Sequence, residues 1–230
     1  MPPGPRGARP VQLISLNVSA IQAVFHRGRL VETGIFKRPV LDRRRLTRMR
    51  IEGDQQADLR HHGGVDKAVY CYPQEHYAYW KKELSRDDLS PGAFGENLTV
   101  TGLDETEVCI GDVFRIGDAV VQVSQPRTPC FKLGIRLELP AIVELFLRSG
   151  RVGFYVRVLE EGNLAAGDPI TDIGCGIGRL TVRDAWHLMH FDQANLEAAA
   201  RAAQLPGLAD DWKQTFGQRA GAVDRKHHIE

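Results

Sequence analysis

Short apolar segments broken by turns constrain this chain more than any other feature of its sequence. Val11 to Val18, Lys67 to Tyr72, Asn97 to Thr101, Val113 to Ile116, Ala119 to Ser124, Phe154 to Leu159 and Pro169 to Ile173 all have strand length and strand character. Turn signals such as Gly111-Asp112, Gly117-Asp118, Gly162-Asn163 and Gly167-Asp168 lie between them. Many short strands with close turns predict an antiparallel sandwich or barrel. Two helices interrupt the series. After Pro73, Tyr77, Trp80 and Leu84 fall on one helical face; after Pro140, Ile142, Leu145 and Phe146 do the same. Pro is tolerated in the first turn, where its missing N–H costs nothing.

The character changes after Ile173. Thr181-Val182-Arg183-Asp184 reads as a capping box that opens a helix carrying Ala185, Trp186 and Met189. Asp192 is the expected cap of a second helix through Leu196, Ala199, Ala200 and Ala203, ended by Pro206-Gly207. Trp212 and Phe216 mark a third short helix, expected to stop at Gly217. The predicted organisation is therefore a disordered, Pro-rich leader over residues 1–10, a β-rich body over 11–173 and a small three-helix appendage over 174–230. A Gly-rich stretch at Gly174 to Gly178 reads as a flexible joint between body and appendage. Asp172-Ile173-Gly174-Cys175-Gly176-Ile177-Gly178 also resembles the glycine loop of a Rossmann-fold methyltransferase. That loop opens an α/β domain, and the residues that follow it here carry no further strand pattern.

Composition narrows the function classes. Thirty Lys and Arg against twenty-nine Asp and Glu give no field that would argue for nucleic acid. The basic run Arg43-Arg44-Arg45, with Arg48, reads as a solvated face. The apolar runs are strand-sized, so no membrane span is expected. The first ten residues lack the apolar core of a signal peptide, which points to the cytoplasm, where thiols stay reduced. None of the four cysteines, Cys71, Cys109, Cys130 and Cys175, forms a C-x-x-C pair, which argues against a zinc ribbon or a thioredoxin-type site. Cys71 and Cys109 sit in or beside apolar segments and read as small buried hydrophobes.

Three segments carry candidate chemistry. Gly53 to Tyr70 packs charge, His61-His62 and Gly63-Gly64 ahead of an apolar strand, where backbone amides of the glycines can approach an anion. Adjacent histidines in an extended chain face opposite ways, so at most one enters a site directly. Gly92-Ala93-Phe94-Gly95-Glu96-Asn97 is a turn in which Glu96 and Asn97 can satisfy local backbone. Gln125-Pro126-Arg127-Thr128-Pro129-Cys130-Phe131-Lys132 presents a cysteine on a backbone stiffened by two prolines, between two cations that favour thiolate.

Together with Ser15-Leu16-Asn17-Val18-Ser19, Thr33-Gly34-Ile35-Phe36-Lys37 and Gly153 to Val158, these segments resemble the MOSC family, named for the C-terminal domain of molybdenum-cofactor sulfurases. The similarity is to the group of small bacterial proteins that confer resistance to 6-hydroxylaminopurine, and the helical tail resembles that group's three-helix appendage. The resemblance implies a mainly β, barrel-like fold with short helices, and a molybdenum cofactor whose metal is held by the cysteine matching Cys130. A soft thiolate suits that metal. It further implies that cations and backbone donors hold the pterin phosphate, for which Lys37, Lys67, Arg127 and Gly63-Gly64 are candidates. Asp66, Glu96, Asn97 and Thr128 join them as candidate cofactor contacts, and His61 or His62 is the candidate proton donor.

The implied reaction reduces an N-hydroxylated base or amidoxime to the amine or amidine. The sequence has no flavin, haem or iron–sulfur motif, so the electrons are expected from a separate flavin or iron–sulfur protein. The alternative is a carrier that holds the cofactor, or passes sulfur through Cys130, without turnover of its own.

Overall fold

The computed structural model describes residues 11–58 and 63–224. The strands are β1 (Gln12–Val18), β2 (Gln22–His26), β3 (Arg29–Thr33), β4 (Arg38–Val40), β5 (Arg44–Leu46), β6 (Val69–Pro73), β7 (Leu98–Thr101), β8 (Val113–Ile116), β9 (Ala119–Pro126), β10 (Phe154–Glu160), β11 (Gly162–Leu164) and β12 (Ile170–Gly174). The helices are α1 (Glu75–Leu84), α2 (Phe131–Leu137), α3 (Ile142–Ser149), α4 (Val182–His190), α5 (Leu196–Ala203) and α6 (Asp210–Asp224). The predicted leader, 1–10, lies outside the described residues.

Eight strands form one sheet in the order β12-β8-β9-β10-β6-β7-β1-β4. Its pairs are antiparallel except β6 with β7, which run parallel because α1 carries the chain across between them. The sheet is not closed through its edge strands. It does curl back on itself: Leu13 N donates to Asp168 O at 3.0 Å and Ile170 N to Val11 O at 2.9 Å, tying the start of β12 to the start of β1. The mainly β, barrel-like expectation therefore holds, with a helical part at the C-terminal end. Tyr72, Trp80, Phe94 and Phe146 stack on one another in the core, and Trp80 Nε1 donates to the Tyr72 hydroxyl at 2.6 Å. A buried indole N–H satisfied in this way carries no desolvation penalty. Among the described residues, no helix is long and apolar enough to cross a membrane.

Several local expectations change. The Thr181 cap forms as read, its hydroxyl accepting from Asp184 N at 3.0 Å. α5 is capped by Asn195, which accepts from Ala198 N at 3.1 Å, and Asp192 instead accepts from Asn195 Nδ2. The last helix does not stop at Gly217, because Trp212 and Phe216 anchor it on buried surface before the glycine is reached. The glycine stretch is not a loose joint. Gly176 N donates to Asp112 Oδ1 at 2.9 Å, and a Cβ at Gly176 would stand 1.9 Å from the Ile110 carbonyl oxygen. Glycine is needed there for close packing. The basic run is matched by acids: Arg43 forks onto Asp168 at 2.8 and 3.0 Å, and Arg45 meets Glu161 at 2.9 Å.

Candidate functional site

β9 delivers the chain to the two prolines, and Arg127 N is then fixed by a 3.2 Å bond to the Gly153 carbonyl just before β10. Cys130 follows in extended conformation as the residue before α2, and its side chain makes no capping bond. The thiol is half-buried and lines a cleft that opens to solvent. Cys71 and Cys109 are buried as expected, and burial pushes the Cys71 thiol far up. Cys175 is exposed. Of the four, Cys130 alone lines this cleft.

Two groups of side chains share the cleft. The first is Lys37, Asp54 and Asn97. Lys37 Nζ meets Asp54 Oδ1 at 2.5 Å, with side chains only 8% and 1% exposed. Asp54 also accepts from Ser19 N at 3.0 Å and from Asn97 Nδ2 at 2.9 Å. Asn97 Oδ1 in turn accepts from Tyr70 N at 3.2 Å. A buried ion pair persists when its remaining lone pairs are filled, as here.

The second group is Arg127, Cys130, Lys132, Tyr70 and Tyr155. The Arg127 guanidinium is buried and lies 5.0 Å from the Tyr70 ring centroid and 5.6 Å from that of Phe146. No carboxylate pairs with it among the described residues, and its buried Nη1 has no hydrogen-bond partner. Burial opposes its charge, but Tyr70, Tyr155 and Cys130 outweigh that and hold its pKa above the ordinary value. Burial raises both tyrosines, with Arg127 pulling the other way. The Tyr70 hydroxyl is already committed, donating to Val152 O at 2.8 Å. An unpaired buried cation beside a thiol is costly unless an anion completes it.

The structure brings together Lys37, Lys67, Asn97, Arg127 and Cys130 of the residues singled out from sequence. Lys67 reaches the cleft with its ammonium paired to Asp211 of α6 at 2.8 Å. Asp66 does not line it: one oxygen accepts from Arg157 Nε at 2.8 Å and the other from Asp210 N at 3.2 Å, joining the body to the helical part. Glu96 is likewise spent. It is fully buried and accepts from Gly92 N, Phe94 N, Thr99 Oγ1 and the Tyr77 hydroxyl, so it holds its own loop. Burial raises its pKa against those bonds. Thr128 is exposed and Gly63 and Gly64 lie off the cleft, with Gly64 at φ 96 leading into the 3-10 turn Val65–Lys67. His61 and His62 lie outside the described residues; Asp58, nearby in sequence, lines the cleft. Tyr155 and the role of Asp54 were not apparent in the sequence, because their partners come from distant segments. Asp54 did stand inside the polar run that was singled out.

Comparison with known proteins bears on the family and the fold. The description of the MOSC domain matches residues 58–171, and that of the YiiM-like 3-alpha helix domain matches residues 180–219. YflK of Bacillus subtilis (strain 168) is 46% identical over 204 residues, 89% of this chain and 92% of that protein. The crystal structure of YiiM from Geobacillus stearothermophilus superposes with a TM-score of 0.79 at 36% identity, covering 92% of this chain and all of that one. A protein of Gibberella moniliformis named "Reductase" is 37% identical over 157 residues, 67% of this chain but only 28% of that longer protein.

Proposed function

This chain belongs to the MOSC domain family, with a YiiM-like three-helix domain behind it, and from that premise we propose that it reduces N-hydroxylated bases or amidoximes to amines or amidines with a molybdenum cofactor held at Cys130. The family binds molybdenum cofactor in general, and the reductase named among its relatives supports an oxidoreductase class.

The observation that carries this reading is the pairing, in one cleft, of an uncapped thiol with a buried guanidinium whose Nη1 has no hydrogen-bond partner among the described residues. The donor set fits the cofactor. Cys130 Sγ offers the soft ligand such a metal prefers. Arg127 Nη1 and Lys132 offer charge to an anionic phosphate. The cofactor, when bound, supplies the two-electron chemistry that removes the N–O oxygen as water.

The chain's own residues do the rest. Tyr70 and Tyr155, packed around Arg127, keep water from the guanidinium and so strengthen its hold on an anion. Asp54 fixes the Lys37 side chain at the cleft, and Asn97 keeps Asp54 from turning away. His61 or His62 remains our candidate for handing a proton to the departing oxygen. Electrons come from a separate donor protein.

The test is turnover. Protein purified from a cofactor-making host is given reduced viologen and 6-hydroxylaminopurine, and 6-aminopurine is measured by chromatography. Native protein should produce it and Cys130→Ser should not. Cofactor-loaded native protein that forms no amine contradicts the reductase reading and leaves the carrier.

A further inference from the structure

The β2–β3 hairpin stands apart from the main sheet as a two-stranded ribbon. Arg27 and Gly28 turn it, both with positive φ (48 and 77), the geometry of a tight two-residue hairpin turn. Phe25 and Leu30 face each other across it and are 77% and 69% exposed. Phe131, the residue after Cys130, is 52% exposed and stacks on His26 with centroids 6.0 Å apart. Between the ribbon and helices α2 and α3 lies an open groove lined by His26, Arg27, Arg29, Leu30, Phe131 and Val143 among others. A lone two-stranded ribbon is marginally stable in water, and apolar side chains clustered on one are unusual unless something covers them.

Position and charge identify the cover. At its base the ribbon runs into Thr33, Gly34 and Ile35, which line the candidate cleft, and at its side the groove reaches Phe131, next to the thiol. Whatever seats there lies beside the segment that carries Cys130. The tip carries Arg27 and Arg29 beside His26, with Glu32 back along the strand. Two such tips brought together in a symmetric dimer would repel, whereas an acidic surface would be drawn in. We propose that the β2–β3 ribbon and α2 form the docking face for the separate electron-donor protein, and that the donor presents an acidic rim around its redox group. This rests on the reductase reading above. Each turnover takes two electrons and two protons, converting N–OH to N–H and water. With a one-electron donor, two reduced molecules are each oxidised by one electron, and the protons come from solvent.

The experiment compares two electron sources on cofactor-loaded protein, using reduced flavodoxin as the acidic protein donor and reduced viologen as the small one. Arg27→Glu/Arg29→Glu and Phe25→Ser/Leu30→Ser should leave viologen-driven turnover within twofold of native. Both should raise KM for reduced flavodoxin at least tenfold, and raised salt should reproduce the effect in the native protein. Unchanged flavodoxin kinetics, no flavodoxin-driven turnover in the native protein, or an equal loss with both donors overturns the proposal. So does a native dimer, seen by sedimentation, that the Phe25→Ser/Leu30→Ser variant dissolves, since the cover is then a second copy. Absence of turnover with either donor overturns the reductase reading instead. Docking is then decided by calorimetric titration with flavodoxin: heat lost in both variants supports it, and no binding by native protein sinks it.

Discussion

The two groups of residues in the cleft are built on opposite principles. Lys37, Asp54 and Asn97 complete one another: every charge there has a partner and Asp54 is held from three sides. Arg127 is as deeply buried, yet it rests on aromatic faces and leaves Nη1 without an acceptor among the described residues. Buried charge that is fully paired belongs to the fold, and removing one partner exposes the cost of the other. Buried charge left open marks where the protein spends stability on a ligand. The contrast separates the scaffold of the cleft from its receptor, a distinction that lining residues alone do not make.

The largest effect should come from breaking the paired group. Asp54→Ala leaves the Lys37 ammonium buried and alone and should cost about 3–5 kcal/mol in urea denaturation of the cofactor-free protein. A loss under ~1 kcal/mol would show that the pair is not structural. Arg127→Met should behave in the opposite way. Removing an unpaired cation offsets the lost ring packing, so stability should shift by no more than about 1 kcal/mol. Bound molybdenum should fall tenfold or more. If Arg127→Met destabilises as much as Asp54→Ala, the distinction collapses.

A smaller effect tests a site remote from both groups. Burial, helped by Arg219, lowers the pKa of His190 in the helical part. The native state then binds fewer protons than the unfolded chain between that lowered value and the ordinary 6.5. Stability should therefore fall as pH drops through this window, and His190→Gln should flatten the slope. A slope unchanged in that variant would assign the acid sensitivity to other groups.

Much of the β body was legible because its strands are short apolar runs bounded by turns, some alternating in burial and others, such as β6 and β9, buried almost throughout. β8 runs intermediate, buried, exposed, buried and matches the predicted segment. The β2–β3 ribbon was missed for the converse reason: Phe25 and Leu30 face solvent, so its apolar residues do not mark a buried face. The short helix α2 was hidden behind the prolines that drew attention to Cys130. Within the cleft, Cys130 and Arg127 stood out because they share one stiff segment. What the sequence could not separate was use from availability. Glu96 and Asp66 carried the same apparent promise as Lys37, yet their oxygens are taken by local backbone and by Arg157. Glu96 takes the local backbone role its turn had allowed, whereas the partners of Asp66 come from distant segments that spacing does not encode.

The most direct test of the account is the molybdenum content of protein purified from a cofactor-making host, native against Cys130→Ser. Serine preserves the size of the side chain but is a harder and far less acidic ligand. The account predicts metal near one per chain in the native protein and its loss in Cys130→Ser, with both variants equally folded. Equal metal in the two, or none in either, would contradict it.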